Sequence, residues 1–230
     1  MTIIEHSFSY QQTFPPSTLS LTVQAGAELY IIGFLEGSVN RYLTGLSDDI
    51  HGAWDSYSTI YEGVNNLPKT WVGRVANHTG GSINITPTFQ ATASNLGAIV
   101  VFELHGYQFK SETSYDNTAR TGTLIASASA IAVSSGELAI ASQGVNANIT
   151  PVYQEANWSN LTLQSNIADR SFLSTQQTAG NYQFELTNAG NRYGVGTFAL
   201  YEPSSAAPTN YSPFRNAKYI NKTYQIPRFG

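Results

Sequence analysis

The sequence predicts an all-β, jelly-roll-like sandwich with an internal duplication and an extended C-terminal arm. Three observations predict it: apolar and polar residues alternate with a period of two, glycine-containing turns separate the alternating stretches, and one order of these signals occurs twice. No long stretch has the 3.6-residue apolar period of an amphipathic helix. With 230 residues, 41% of them hydrophobic, the chain is long enough to bury a full core.

The first copy of the pattern spans residues 17–107. Its predicted strands are, in order, 19–23, 29–35, 83–89 and 98–102. The second and fourth of these are continuous apolar runs, which are typical of central strands buried on both faces. Residues 48–57 are predicted to form one or two turns of helix.

The second copy spans residues 123–202. Its matching signals are 123–124, 133–140, 178–184 and 196–202. Residues 107–122 are polar and are predicted to be a connection that crosses the end of a sandwich. Because no Pro/Gly/Ser-rich linker separates the copies, the sequence favours one domain, residues 1–202, with pseudo-twofold strand sets over two small sandwiches.

Residues 203–230 are predicted to form an extended arm that binds a partner. Residues 1–202 hold 15 acidic and 7 basic residues, a net charge of −8, whereas the arm holds four basic residues and no acidic one. Its spaced aromatics are too apolar for a free tail, so we expect it to dock on a neighbouring molecule, with folding back on its own domain as the alternative. The predicted contact residues are Tyr211, Phe214, Arg215, Lys218, Tyr219, Lys222, Tyr224, Arg228 and Phe229.

Composition excludes several classes of protein. Charged residues make up 11% of the chain, against roughly 25% in typical soluble domains, and cysteine is absent, which excludes thiolate metal sites and thiol nucleophiles. The N-terminus lacks a basic start followed by an apolar run, so we expect no secretory signal and no membrane partner. A negatively charged body without a phosphate-binding glycine loop predicts no nucleic-acid partner and no cofactor.

The order of these signals resembles a β-sandwich family of virion proteins of tailed bacteriophages and prophages. The resemblance is carried by a Val/Ala-x-x-Gly-Glu/Ala-Leu-x-Ile stretch, a tryptophan-containing middle, a Thr-x-Gly turn before an alternating strand, and a Phe-x-Leu strand, and it covers roughly residues 17–202. It implies a virion component, either a capsid decoration (cement) protein or a tail or fibre accessory protein, assembled in the bacterial cytoplasm. It carries over no functional residue.

The densest acidic cluster is formed by Asp48, Asp49, His51 and Asp55. Carboxylate oxygens crowded into one loop are ligands that calcium prefers. The cluster lacks the alternating ligand series and closing glutamate of an EF-hand loop, so the sequence favours a solvated turn and predicts no metal site.

Two further arrangements of polar residues lie on predicted strands. Glu103 and His105 are two residues apart and share a face, where the carboxylate either tunes the imidazole or forms a plain hydrogen-bonded pair with it. Glu103 and Glu202 occupy comparable positions in the two copies, and a glycosidase needs two facing carboxylates. Duplication of the strand pattern is enough to explain why Glu103 and Glu202 lie at comparable positions. We therefore predict no catalytic residue and a non-enzymatic protein.

The three tryptophans, Trp54, Trp71 and Trp158, have two interpretations. Exposed on one face, they would form a platform on which sugar rings stack. Buried, they would fill the space between two sheets, which the sequence favours because a sandwich core needs large residues.

We therefore expect a virion structural protein, first of all a capsid decoration protein that forms a homo-oligomer and contacts the major capsid protein or neighbouring copies. The first alternative is a tail or fibre accessory protein that binds host-surface carbohydrate through an aromatic face. The second is a free lectin-like or carbohydrate-active protein, which the absence of a predicted signal peptide disfavours.

Overall fold

The computed structural model of the protein describes twelve segments of the chain. The described residues are 1–10, 18–35, 43–61, 69–90, 97–117, 124–126, 131–145, 159–163, 170–176, 178–182, 185–187 and 194–204. They form strands and the turns between them, and this part of the chain contains no helix. The strands pair antiparallel in several sheets, which confirms the predicted all-β sandwich class.

Among the described residues, nine strands precede Gly106 and nine follow it. The first nine are β1 (Thr2–Tyr10), β2 (Leu19–Val23), β3 (Ala27–Leu35), β4 (Leu43–Asp48), β5 (Gly52–Ala53), β6 (Ser56–Tyr61), β7 (Lys69–His78), β8 (Gly81–Phe89) and β9 (Gly97–His105). The others are β10 (Tyr107–Asn117), β11 (Leu124–Ala126), β12 (Ile131–Val133), β13 (Leu138–Val145), β14 (Ser159–Leu163), β15 (Arg170–Gln176), β16 (Gly180–Tyr182), β17 (Glu185–Thr187) and β18 (Gly194–Pro203).

Two five-stranded sheets form the centre of the molecule. Central sheet I has the order β1-β9-β3-β7-β6, and central sheet II has the order β10-β18-β13-β15-β14. An outer sheet, β2-β8-β4-β5, belongs to the first half of the chain, and two short pairs, β12-β16 and β11-β17, belong to the second. The chain of the first half thus passes back and forth between central sheet I and the outer sheet.

The two central sheets are built on one plan. Strand for strand, β1 corresponds to β10, β9 to β18, β3 to β13, β7 to β15 and β6 to β14. We call the halves the first repeat (residues 1–105) and the second repeat (residues 107–203), each of which begins with an edge strand of its central sheet.

Central sheet I is buried on both faces, as the apolar runs in β3 and β9 predict. Successive side chains of a strand point to opposite faces. Leu29 and Ile31 pack with the outer sheet in one core, whereas Tyr30 and Ile32 pack with the second repeat in another. Side chains of the second repeat in this shared core are Tyr107, Leu138, Ile140, Ala199 and Tyr201. One continuous apolar core therefore joins the two repeats.

Gly33 makes room for the largest side chain of the first core. It pairs with Trp71 across β3 and β7. A Cβ atom on Gly33 would lie 2.0 Å from the Trp71 indole, well inside contact distance. The ring of Phe89 meets the same indole edge-on, with 5.6 Å between ring centroids.

The contacts between the two central sheets are offset to one side. Strands β10, β18 and β13 of sheet II lie against β6, β7 and β3 of sheet I. The reciprocal contacts, of β1 and β9 with β14 and β15, are not among the main contacts of the described strands. The equivalent strands β3 and β13 contact each other, and the predicted pseudo-twofold relation between the strand sets remains a prediction.

Three segments differ from their predicted form. Residues 48–57 contain the end of β4, a turn, β5 and the start of β6 instead of helical turns. Most of the predicted connection 107–122 is β10, whose Lys110 is an extra residue in the pairing with β18. Pro203, placed in the arm by its composition, is the last residue of β18.

The junction between the repeats is the single residue Gly106, with φ +76°. Its carbonyl accepts a 2.9 Å hydrogen bond from the backbone N–H of Ser204, at the end of the described chain. Its α-carbon also lies beside the N-terminal residue, because a Cβ built there would be 3.5 Å from the α-carbon of Met1.

Candidate functional site

A polar cluster lies within the core that joins the repeats. The hydroxyl of Tyr30 donates a 2.6 Å hydrogen bond to Oε1 of Glu112, and Thr197 Oγ1 donates one of 2.7 Å to the same oxygen. Burial, and next the charge of Glu112, raise the pKa of Tyr30 well above its ordinary value. Tyr30 belongs to the first repeat and Glu112 to the second, so this cluster ties the repeats together.

Aromatic rings and the guanidinium group of Arg74 also contribute to the contact between the two repeats. Tyr201 meets Tyr30 and Phe109 edge-on, with centroid separations of 5.7 and 5.8 Å. The guanidinium carbon of Arg74 lies 3.9 Å from the centroid of the Phe109 ring, close enough for a cation–π interaction. Arg74 is on β7 and Phe109 on β10, so this pair also crosses between the repeats.

Glu28 is a carboxyl group buried at the edge of the same core. It is 5% exposed, its Oε1 has no hydrogen-bond partner, and the nearby Tyr201 hydroxyl likewise has none. Burial raises its pKa from 4.5 to about 7, although Arg74 acts in the opposite direction. Glu28 is therefore largely protonated in the folded protein below neutral pH.

Glu103 and His105 form the predicted hydrogen-bonded pair, and a third residue joins them. Glu103 is 1% exposed, and its Oε1 accepts hydrogen bonds from Gln24 N (2.6 Å) and His105 Nε2 (2.8 Å). His6 Nε2 on the neighbouring β1 lies 3.1 Å from Oε2. Burial opposes ionisation, but these hydrogen bonds outweigh it and lower the pKa of Glu103. Through these contacts of Glu103, the edge strand β1 and the β2–β3 turn are connected to β9.

The carboxylates of the acidic cluster at 48–55 each form their own hydrogen bonds with other parts of the fold. Oδ1 of Asp48 accepts the backbone N–H groups of Ile50 (2.8 Å) and His51 (2.6 Å), and Oδ2 accepts Trp54 Nε1 (2.9 Å). Burial opposes ionisation of Asp48, but these bonds hold its pKa below its ordinary value. Asp48 thus shapes the β4–β5 turn that the helix prediction missed.

The other two carboxylates of this segment point elsewhere. Asp49 accepts hydrogen bonds from the backbone and side-chain nitrogens of Asn84 on β8, and Asp55 accepts one of 2.8 Å from the backbone of Ala76 on β7. Within the described part of the chain, no group of three or more His, Cys, Asp and Glu side chains is arranged to hold a metal ion.

His78 lies behind Asp48 and is fully buried. Its Nδ1 accepts a 2.9 Å hydrogen bond from the backbone N–H of Gly80, so the ring hydrogen is on Nε2. That nitrogen lies 3.4 Å from Oδ2 of Asp48. His78 is a packing residue that joins the β7–β8 turn to the β4–β5 turn.

Glu103 and Glu202 correspond in the two repeats but point away from each other. Glu103 shares a face of β9 with Ile99 and Val101, which pack against the outer sheet. Glu202 lies on the face of β18 opposite to Tyr201, whose side chain packs against sheet I. Both central sheets lie between the two carboxylates, so this pair cannot flank one glycosidic bond.

Two of the three tryptophans are core residues. Trp54 is 4% exposed and Trp71 is 0% exposed, and both pack in the first core. Neither presents a ring face on which a sugar could stack, so the carbohydrate-platform interpretation is wrong for these two. Trp158 lies outside the described residues, as do the predicted arm residues from Tyr211 to Phe229.

The sequence prediction also missed a salt bridge at an irregular position of an edge strand. Lys110, the extra residue of β10, forms a hydrogen bond with Glu137, the residue that precedes β13. Glu137 also accepts a 2.7 Å hydrogen bond from the backbone of Ser134. The Val-x-x-Gly signal that precedes both β3 and β13 could have indicated that a glutamate here belongs to a turn.

Comparison of the chain with family models, with curated proteins and with solved structures finds no match in any of the three. No helix in the described segments is long and apolar enough to cross a membrane.

Proposed function

We propose that the protein is a non-enzymatic structural component of a tailed-phage particle, and specifically a capsid decoration protein that stabilises the head lattice through protein–protein contacts. The observation that carries this proposal is the set of hydrogen bonds made by four buried or half-buried carboxylates. Asp48, Glu103, Glu112 and Glu137 all accept hydrogen bonds from groups on other strands or turns of the fold. Carboxylates that accept such hydrogen bonds hold the strands and turns of the fold together. These four are therefore not available as a general acid or base.

The architecture supports the same proposal. A decoration protein withstands load through buried area and many copies, and two repeats joined by one apolar core supply a stiff unit of this kind. The proposed partners are the major capsid protein and neighbouring copies, and the proposed location is the virion.

Charge and composition supply the proposed attachment. The four basic residues and the aromatics of the C-terminal arm oppose the net negative charge of residues 1–202. In our proposal the arm bridges capsomers, with its aromatic rings filling pockets and its cations steering the encounter. The alternative, glycan binding by a tail or fibre protein, loses two of its three proposed stacking residues because Trp54 and Trp71 are buried.

The test is cryo-electron microscopy of purified virions that carry this chain. We expect its density to repeat over the capsid lattice. Density confined to the tail, or its absence from particles, would contradict the proposal.

A truncation tests the arm separately. The cut belongs after Ser204, because that residue is hydrogen bonded to Gly106. We expect a chain ending at Ser204 to fold, with an unchanged circular dichroism spectrum, but not to sediment with capsids. A second variant, Arg215→Ser with Lys218→Ser, keeps the aromatics and should weaken attachment most at low salt. Attachment of the truncated chain at the normal level would contradict the role of the arm.

A further inference from the structure

We infer that Glu28 and Arg74 form a proton-operated switch at the contact between the two repeats. When Glu28 loses its proton, the guanidinium group of Arg74 leaves the ring of Phe109 and binds the Glu28 carboxylate. Arg74 thereby exchanges a partner in the second repeat for one in the first. This inference does not depend on the proposed virion role, because it rests on the placement of these three side chains.

Glu28 and Arg74 lie on the same face of neighbouring strands. In the pairing of β3 with β9, Glu28 and Tyr30 are two residues apart without a register shift, so their side chains share a face. That face packs against the second repeat. Arg74 on β7 is the cross-strand partner of Tyr30. It is therefore a diagonal neighbour of Glu28, a separation that a long side chain can span.

Arg74 lies against the second repeat in the structure. It is half-buried, and its guanidinium carbon is 3.9 Å from the centroid of the Phe109 ring. Among the described residues, no Asp or Glu side chain forms a salt bridge with it. A guanidinium group has five N–H donors that match the two oxygens of a carboxylate. Arg74 can therefore still bind a carboxylate that becomes charged.

Glu28 is the carboxyl group that becomes charged. Only 5% of its surface is exposed, and its Oε1 has no hydrogen-bond partner within the described chain. Burial raises the pKa of Glu28 to about 7, and the charge of Arg74 acts against this effect. An ionised carboxylate without a partner in such a site costs far more free energy than the loss of one cation–π contact. The ionised form therefore draws Arg74 away from Phe109.

No other group around Glu28 in the described segments supplies a positive charge. Asp55, ahead of β6, is negative and opposes the ionisation of Glu28. Tyr201 on β18 is neutral, because burial raises the pKa of its hydroxyl well above the ordinary value. Glu112 on β10 is already hydrogen bonded to a tyrosine of the first repeat. Strands β9 and β13 present apolar side chains to this core. Arg74 is thus the counter-ion that this arrangement provides.

The direction of the switch follows from the pKa of Glu28. Below about pH 7 the carboxyl group is protonated and neutral, and Arg74 stays on Phe109. As the pH rises through this value, Glu28 ionises and Arg74 pairs with it. The contact between the repeats then loses its cation–π interaction, whereas the hydrogen bond from Tyr30 to Glu112 is retained.

The first test follows Arg74 by NMR in the full, unmodified chain. Protons that lie over the face of an aromatic ring resonate upfield of their ordinary position. We expect the δ-methylene signals of Arg74 to lie upfield at about pH 5.5 and to return to ordinary values by about pH 8.5. The midpoint should fall near pH 7. Signals that remain upfield over this whole range would overturn the inference.

Glu28→Gln is the matched control for this titration. It keeps the shape of the side chain and all four histidines, which also titrate in this range, and it removes only the ionisable carboxyl group. The Arg74 signals of the variant should stay upfield at every pH. A shift of equal size in the variant would assign the titration to another group and would also overturn the inference.

A double-mutant cycle measures the same exchange through stability. Arg74→Met and Phe109→Leu are made singly and together, and urea unfolding gives their coupling at about pH 5.5 and about pH 8.5. We expect coupling between the two residues at the lower pH and its loss at the higher one. A second cycle, of Arg74→Met with Glu28→Gln, should show coupling at the higher pH only. Coupling that is the same at both pH values in both cycles would contradict an exchange of partners.

Discussion

The phenol of Tyr30 in the first repeat donates a 2.6 Å hydrogen bond to the carboxylate of Glu112 in the second. The same carboxylate oxygen accepts from Thr197 on the adjacent strand of its own sheet. A charged acceptor shared between the two halves orients them more narrowly than apolar packing alone, because a hydrogen bond is directional. The relation between the repeats is thus fixed by a polar contact inside an apolar interface.

Tyr30→Phe should destabilise the protein by about 1.5–3 kcal/mol, because it removes a buried donor from a charged acceptor and leaves the ring in place. Tyr57→Phe is the matched control: its hydroxyl donates to the Thr44 carbonyl at an exposed site, so we expect a change within about 0.5 kcal/mol. Urea unfolding of both variants measures the difference. Equal losses would show that the contact with Glu112 contributes no more than a surface hydrogen bond.

Glu28→Gln should remove a pH dependence of stability. The pKa of Glu28 is about 7 in the folded protein and 4.5 is its ordinary value, so between these pH values the folded state binds one more proton than the unfolded state. Its contribution is therefore fully present below about pH 4.5 and is lost as the pH rises to about 7. The free energy of unfolding of the wild type should fall relative to the variant over this range, by roughly 1–3 kcal/mol. A constant difference across the range would contradict the burial of this carboxyl.

Glu137→Gln should show the opposite sign. Burial opposes ionisation, but the hydrogen bonds from Lys110 and from the backbone of Ser134 lower the pKa of Glu137. Its stabilising contribution is present above the ordinary carboxyl pKa of 4.5 and is lost as the pH falls through the lowered value. Thermal unfolding below pH 4.5 should therefore bring the wild type and the variant together. If the unfolding temperatures of the wild type and the variant instead move apart as the pH falls, the result would contradict the salt bridge.

Gly33→Ala should destabilise the first repeat, because the added Cβ would lie 2.0 Å from the Trp71 indole. We expect a loss of about 1–3 kcal/mol from the displaced ring. Gly45→Ala is the control, since its Cβ would lie 3.5 Å from Thr88, an ordinary contact. Near-ultraviolet circular dichroism reports on the tryptophan environment, and an unchanged signal in Gly33→Ala would contradict the close packing.

The apolar runs were the most informative part of the sequence for the fold. A strand buried on both faces needs apolar residues at every position, and 29–32 and 99–102 have them; both lie in central sheet I and contact both cores. Residues 107–117 were misread because Lys110 and Glu112 suggest a solvated connection. Lys110 forms a salt bridge with Glu137, and Glu112 accepts a hydrogen bond from Tyr30. Both partners are distant in sequence, so no local sequence pattern could have indicated them.

The candidate sites were predictable only where the partners lie on one strand. The pair of Glu103 and His105 follows from their spacing, whereas His6, 97 residues away, joins them through the pairing of β1 with β9. The burial of Glu28 depends likewise on the packing of one repeat against the other. The predictions for the arm and for Trp158 remain predictions.

The meeting of Met1 and Ser204 at Gly106 has a consequence for the order of the repeats along the gene. Since the two ends of the described chain lie at the junction, a linker from Ser204 to Met1 would be short, and the chain could be opened at Gly106 instead. A circular permutant that starts at Tyr107 and ends at His105 would then keep every strand pair of both repeats. In this architecture either repeat can therefore come first along the chain.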